Sequence, residues 1–269
     1  MNDMDRLDRL LQAEGGLLKD GDRLFDCGIR VTFEPGGQIE YYSPPLKAED
    51  HSTLDMLLEF IGWLNKRIFD RLGIHYLGTG YMPGRGDAPL CLRSTRYLNL
   101  HKRLAKSGTR GHEMMKGTAA IHLHVAICRI DELLPLFRRV CEMAAYETFR
   151  MSESRRDIWN NTDPSRSGPP PCCFTAFESP GELIESWVRY ALRAVVLGED
   201  RPFEAASDRS FDAFLYHLTT LFNDIRINLK GPTLELRTPD SVPLDRFKSK
   251  WLPFIEGFQT LSVQERIYA

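Results

Sequence analysis

Six polar side chains occupy alternating positions in three short, otherwise apolar stretches, and their types suit phosphate and metal chemistry. Glu34 and Glu40 flank Pro-Gly-Gly-Gln in "FEPGGQIEYYSPP" (33 to 45), His122 and His124 surround Leu123 in "AIHLHVAI", and Glu235 and Arg237 surround Leu236 in "TLELRT". Side chains two residues apart on a strand share a face. The second and third stretches can therefore each present a pair of chemically active groups to one side, and the Pro-Gly-Gly bend of the first can let Glu34 and Glu40 flank a cavity. An ordinary half-buried strand turns such groups to water, whereas a concave sheet turns them into a ligand cavity.

Carboxylate oxygens with an occasional imidazole are the ligand set expected for magnesium or manganese, which bind nucleotide phosphates through open coordination positions. Zinc fits less well, because there is no H-E-x-x-H and no cluster of three close His or Cys. Neither G-x-x-x-x-G-K-[ST] nor a strand followed by G-x-G-x-x-G is present, so a P-loop or Rossmann nucleotide site is not indicated. ATP, if bound, must be held by another architecture.

Composition narrows the classes of partner. The 269 residues include 35 Lys plus Arg against 37 Asp plus Glu, a net charge of -2, so no global field attracts nucleic acid or an anionic membrane. With 42% hydrophobic residues a sizeable core can form. The opening "MNDMDRLDRLLQAEGG" alternates charge with leucine and holds no apolar run of signal-peptide length, and the expected location is cytoplasmic. The six cysteines, at 27, 91, 128, 141, 172 and 173, lack C-x-x-C spacing, so neither a zinc knuckle nor a disulfide framework is suggested. Cys172 and Cys173 are expected to be reduced, noncatalytic thiols.

Elements must position the polar pairs. The patterns predict a short amphipathic helix over 3–14 and two strands within 28–42 around the Gly-Gly turn. A long helix is predicted over 50–72, stopped by Gly73. A Gly- and Pro-rich loop spans 74–95, followed by a short basic helix over 96–108. The stretch 117–127 reads as a strand, with Ile121, Leu123 and Val125 on one face and His122, His124 and Ala126 on the other. Helix is predicted over 131–157, loop over 160–173, and helices over 180–197 and 210–222. "IRINL" and "TLELRT" read as strands joined around Lys230-Gly231-Pro232, and 244–268 as a final helix. Without repeats or low-complexity tracts, the chain reads as one α+β domain over 1–269, its strands collected in a sheet and its helices packed against it.

Several segments together resemble a known family. "FEPGGQIEYYSPP" is similar to the E-P-G-G-Q-x-E-x-S signature of the plant-type and bacterial glutamate–cysteine ligases, members of the glutamine synthetase-like carboxylate–amine ligases. "RYLNLHKRL", "HEMMKGTAAIHLHVAI", "IWNNTDPSRSG", "WVRYAL" and "HLTTLFNDIRINLKGPTLELRTPD" look like successive blocks of the same family, in the same order, from about residue 28 to 243.

The resemblance implies a concave, mainly antiparallel sheet that binds ATP with Mg2+ or Mn2+. It also implies a two-step reaction, in which a substrate carboxylate is phosphorylated and the acyl phosphate is then attacked by an amine. Glutamate is the first guess for the carboxylate donor, and cysteine or another small amine for the acceptor. Carried over residue by residue, Glu34, Glu40, His122 and Glu235 match metal-binding positions, Glu40 most closely, and Arg237 is placed to contact phosphate. His124 lies beside His122, nearer the nucleotide phosphates. Gln38, Arg96, Arg156, Arg166 and Arg226 fall at positions that in the family line the ATP and substrate cavity.

Three departures stand out. The E-x-E strand that normally opens the family's domain has no counterpart before the E-P-G-G-Q block. The segment between "HVAI" and "IWNNTDP" is short and lacks F-A-N-S-P, and H-L-H replaces V-Q-V-N. Two further readings follow from them. One is a degenerate ligase fold that binds nucleotide or amino acid, or serves as a partner subunit, without catalysis. The other, a metal-dependent amide hydrolase, leaves the arginine-rich blocks unexplained. A homo-oligomer or a partner chain that lends a strand to an exposed sheet edge also remains open.

Overall fold

The computed structural model describes residues 3–229 and 231–259. Helix α1 (Asp3–Ala13) is followed by a hairpin, β1 (Leu17–Lys19) and β2 (Asp22–Leu24), and then by β3 (Arg30–Phe33) and β4 (Ile39–Tyr42). These four strands form one antiparallel sheet in the order β1-β2-β3-β4. The first hairpin lies in a stretch the sequence pattern left unassigned. Its β1 residues are all exposed, so no buried face left a hydrophobic alternation to read.

Helix α2 (His51–Leu72) packs Leu57, Leu64 and Ile68 with Leu7 and Leu11 of α1 against Val31, Phe33, Ile39 and Tyr41, the apolar face of β3 and β4. The Asp50 side chain accepts a 3.0 Å bond from the Thr53 backbone N–H, and Gly73, at φ 68°, stops the helix in the left-handed region that glycine tolerates.

Helices α3 (Thr95–Ser107) and α4 (Gly111–Gly117) lead into β5 (Leu123–Ala126). The strand expected over 117–127 is thus shorter. Residues 118–122 run extended but make single bridges, Tyr81 to Thr118 and Ala120 to Asp240. Opposite them lies Pro239, whose carbonyl accepts from Ile121 N at 3.0 Å but which has no N–H to return.

Helix α5 (Leu133–Ala145) and helix α6 (Glu153–Asn160) replace the single helix expected over 131–157. Phe149 and Met151 between them are buried, so the apolar pattern continues through a turn that sequence periodicity alone reads as helix. A two-residue parallel pair joins β6 (Ser167–Gly168) to β7 (Phe222–Asn223). Helices α7 (Pro180–Arg193) and α8 (Phe211–Leu218) precede β8 (Ile225–Asn228), β9 (Thr233–Leu236) and α9 (Lys248–Gln259). The part of the expected final helix beyond 259 lies outside the described residues.

β5, β9 and β8 form a second antiparallel sheet in that order. Its apolar face, Leu123, Ile225, Ile227, Leu234 and Leu236, is covered by Phe137, Val140 and Met143 of α5, Leu183 and Trp187 of α7, and Phe254 of α9. Burial of such side chains contributes roughly 1.5–3 kcal/mol each, and it fixes which face is left for polar groups. The chain is therefore α+β with antiparallel sheets, as expected. Its strands fall into three hydrogen-bonded sets instead of one sheet.

Candidate functional site

The β3–β4 hairpin pairs Thr32 with Glu40 and Phe33 with Ile39, and Glu34 N–H donates to Gln38 O at 2.9 Å. Glu34 and Glu40 are consequently diagonal neighbours on the face opposite the α2 core. The Pro-Gly-Gly turn holds them there by close approach. A Cβ on Gly36 would lie 2.3 Å from the Lys116 carbonyl oxygen, and Gly37 has φ 86°. Gln38 locks the same turn, accepting from Gly36 N at 2.9 Å and donating to Thr118 O at 3.1 Å. That amide is spent on holding the hairpin to the segment that leads to His122.

The second sheet carries two cross-strand polar rows. His124, Glu235 and Arg226 are register partners across β5, β9 and β8. One step further, the register brings His122, Arg237 and Asp224 alongside one another, and Arg237 N–H donates to Asp224 O at 2.9 Å. Glu235 is fully buried and lies 2.8 Å from Arg226 and 2.9 Å from Arg237. Burial works against its charge, yet Arg237 and Arg226 hold its carboxyl below the usual range. His124 Nδ1 lies 3.9 Å from Glu235 and 3.3 Å from Thr233 Oγ1.

The two sheets meet through side chains. His122 Nδ1 is 3.8 Å from Glu40 Oε1 and 3.4 Å from Arg237 Nη1. Burial first, and then the Arg237 and Arg226 charges, push the imidazole well below its ordinary value, so His122 is neutral near pH 7. Because a guanidinium only donates, Nδ1 is the acceptor and the ring proton sits on Nε2. In this arrangement His122 is a donor, and ligation of a metal requires Arg237 to release Nδ1.

Glu34 is the most perturbed carboxyl of the site. Burial, then the neighbouring Glu40 charge and the hydrogen bond the two carboxyls share, push it up to about 8. Tyr42 donates to Glu40 at 2.9 Å. Among the described residues neither Glu34 nor Glu40 forms an ion pair with Lys or Arg. The donor chemistry therefore suits a cation, which would relieve the carboxyl repulsion and displace the shared proton. No group of three or more His, Cys, Asp or Glu is placed to hold a metal ion among the described residues. Two carboxylates, with further oxygens from phosphate and water, are nevertheless the usual protein share for Mg2+.

The arginines divide. Arg96 donates to Thr219 Oγ1 at 2.6 Å and to its carbonyl at 2.8 Å, lies 5.7 Å from the centre of the Tyr216 ring, and is close enough to Glu34 to act on it electrostatically. Arg156 pairs with Asp224 at 2.8 Å, beside Arg237. Arg166 is not brought to this face. It is fully buried, 2.9 Å from Asp163, and donates to Thr220 and to the Val195 carbonyl, so its guanidinium is occupied in the interior.

Sequence reasoning passed over Arg155, Asp224 and Tyr42. Arg155 is fully buried and donates to Thr238 O at 3.1 Å, Arg237 O at 3.0 Å and Asp240 Oδ1 at 2.7 Å, which clamps the chain at and just beyond Arg237. Asp224 and Tyr42 each left a signal, since Asp224 precedes Arg226 by two and Tyr42 follows Glu40 by two, so each shares its neighbour's face.

A family model for glutamate-cysteine ligase family 2 matches residues 1–148 and 149–260. The chain belongs to this family. Among curated relatives, the chloroplastic glutamate–cysteine ligases of Solanum lycopersicum and Arabidopsis thaliana are each 26% identical over 251 residues, which cover 80% of this chain and 46% of theirs. The chloroplastic glutamate–cysteine ligase B of Oryza sativa subsp. japonica is 25% identical over the same length, 49% of its own. The chain spans about half the length of these relatives. No helix among the described residues is long and apolar enough to cross a membrane.

Proposed function

We propose that this member of glutamate-cysteine ligase family 2 is an ATP-dependent carboxylate–amine ligase, with the whole of 1–269 as a single ligase domain. It joins an amino-acid carboxylate, glutamate first, to a small amine such as cysteine through an acyl phosphate. The observation that carries this reading is the Glu34–Glu40 carboxyl pair, which forms no ion pair with Lys or Arg among the described residues, set against the His122–Arg237 row. An anionic half that attracts a divalent cation faces a cationic half that attracts phosphate oxygens.

A bound Mg2+ or Mn2+ would supply neutralisation of phosphate charge. Glu34 and Glu40 would hold it, with His122 available once Arg237 turns to phosphate. Glu235 acts in this reading through the arginines, holding Arg226 and Arg237 at 2.8 and 2.9 Å. Arg237 stabilises charge on the transferred phosphoryl group, with no protein nucleophile required. Arg96, Arg156 and His124 line the same surface for nucleotide or amino-acid groups. A concave sheet of glutamine synthetase-like form would be completed across the junction between β4 and β5, where side chains alone connect the two sheets. The cytoplasmic setting belongs to this reading.

A second reading, binding without ligation, is favoured by one observation. Among the described residues β4 and β5 are each an edge strand of their sheet, and an edge is where a second copy or a partner chain could add a strand. ADP release with Mg-ATP and a panel of amino acids, with and without hydroxylamine, separates the two. Amino-acid-dependent ADP with trapped hydroxamate supports ligation and names the carboxylate donor. ATP binding without turnover across the panel supports the second reading.

A further inference from the structure

One buried carboxylate oxygen on the polar face lacks a protein partner. Asp224 is 4% exposed, and Arg156 Nη1 donates to its Oδ2 at 2.8 Å, yet its Oδ1 has no hydrogen-bond partner among the described residues. The alternation that sends Ile225 and Ile227 into the core turns Asp224 and Arg226 to the opposite, polar face. Arg237, alongside Asp224 in the register, has a buried Nε that is unpartnered as well. A buried acceptor left unpaired is costly, so a native structure rarely keeps one that nothing uses.

We infer that the Arg156–Asp224 pair reads the head group of an α-amino acid, with Asp224 Oδ1 accepting from the α-ammonium and Arg156 donating to the α-carboxylate. The inference deepens the ligase reading, from which it takes the amino-acid substrate. A head group held there lies beside Arg237, the arginine assigned to phosphoryl charge.

The pair suits a zwitterion better than a simple anion. Arg156 is its accessible half, with a side chain 32% exposed, and Asp224 its sheltered half at 6%. A phosphate would satisfy Arg156 but would set a second negative charge against Oδ1. An α-amino acid carries its ammonium and its carboxylate on one carbon, so binding exchanges one ion pair for two and gives Oδ1 the donor it lacks. Burial raises the Asp224 carboxyl, and the charges of Arg156, Arg155 and Arg237 oppose the rise, which favours the ionised form that an ammonium requires.

The test is calorimetric titration of the full chain with L-glutamate, with glutarate, which lacks only the ammonium, and with 4-aminobutyrate, which lacks only the α-carboxylate. Wild type should bind L-glutamate at least about tenfold more tightly than either, the usual worth of a hydrogen bond to a charged group. Asp224→Asn, shown to fold by circular dichroism, should lose the preference over glutarate and keep the preference over 4-aminobutyrate. Arg156→Gln should do the reverse, and as a change at a one-third exposed side chain it decides the matter if Asp224→Asn does not fold. Equal weakening of all three ligands in the folded variants would mean a structural role and overturn the inference, as would wild-type protein that binds L-glutamate no better than glutarate. Binding is read without turnover, so the two readings fail separately. The expected selectivities in a protein that releases no ADP would sink ligation and support the head-group site, whereas L-glutamate-dependent ADP release with selectivity unmoved by either substitution would sink the head-group site alone.

Discussion

Arg237 and His122 stand side by side across β9 and β5, with Nη1 of the arginine 3.4 Å from Nδ1 of the imidazole. The contact fixes the imidazole as a neutral donor at Nε2 and leaves the guanidinium at the junction of the two sheets. Glu235, fully buried at 2.9 Å, supplies the countercharge that keeps Arg237 in place despite its own burial. This triad sets the terms for the first prediction.

Arg237→Lys retains the positive charge but cannot contact Glu235 and His122 from one planar fork. The expected result is an unchanged circular dichroism spectrum with amino-acid-dependent ADP release slowed about 10²- to 10³-fold, the usual cost of losing one preorganised donor to a developing negative charge. The loss should fall on kcat more than on KM. An unaltered rate would remove Arg237 from the chemistry.

Glu40→Gln keeps shape and removes one of the two carboxylates that repel each other. Wild-type protein should show a rise in thermal midpoint when Mg2+ and ATP are added together. The variant should show little or none, and its ADP release should fall to background. Retention of both responses would place the cation elsewhere. The metal-free variant should be no less stable than wild type near pH 8, because Glu34 no longer faces a second negative charge.

Arg155→Met removes a fully buried guanidinium of similar reach. Asp240 and the carbonyls of Arg237 and Thr238 lose their partner, and the contact at 5.1 Å from the Trp159 ring centre is lost as well. Breaking one side of such a network costs about 3–5 kcal/mol, which urea unfolding would show as a lower midpoint with an unchanged slope. A shift below about 1 kcal/mol would mean that the clamp is dispensable.

His217 provides a pH dependence separate from the polar face. It is 2% exposed, stacks on Phe203 at 5.1 Å, and donates from Nε2 to Ala191 O at 3.0 Å. Burial, with the Arg166 charge adding to it, lowers its pKa from 6.5 to about 4. The unfolded chain therefore takes up a proton below pH 6.5 that the folded chain refuses until about pH 4. Its contribution is fully present above pH 6.5 and is lost as the pH falls toward 4, by up to about 3 kcal/mol. Comparison of unfolding at pH 7.5 and pH 5 should show a smaller acid loss in His217→Gln than in wild type.

The sequence alone determined the local parts of this protein. His122 and His124, and Glu235 and Arg237, were each readable as same-face pairs, because strand periodicity is a property of neighbouring residues, whereas Glu34 and Glu40 share a face through the β3–β4 register. The long helix α2 was legible for the same reason, from its apolar spacing, the Asp50 cap and the left-handed Gly73. Ordered motifs pointed to the family, which the family model then matched over both of its segments.

Tertiary structure decided what those pairs meet. Cross-strand register placed Glu235, read from the sequence as a metal ligand, between Arg226 and Arg237, with which it pairs at 2.8 and 2.9 Å. Packing also separated arginines that look alike in sequence. Arg166 went into the interior with Asp163, whereas Arg155, unremarked beside Arg156, became the buried clamp behind Arg237. The break of the expected 131–157 helix and the shortening of β5 have the same origin. Buried Phe149 and Met151 satisfy the core equally well from a turn, and a proline opposite Ile121 interrupts a ladder that local preference would have extended. Burial, ion pairing and ladder completion depend on partners tens of residues away, so spacing within one segment does not encode them.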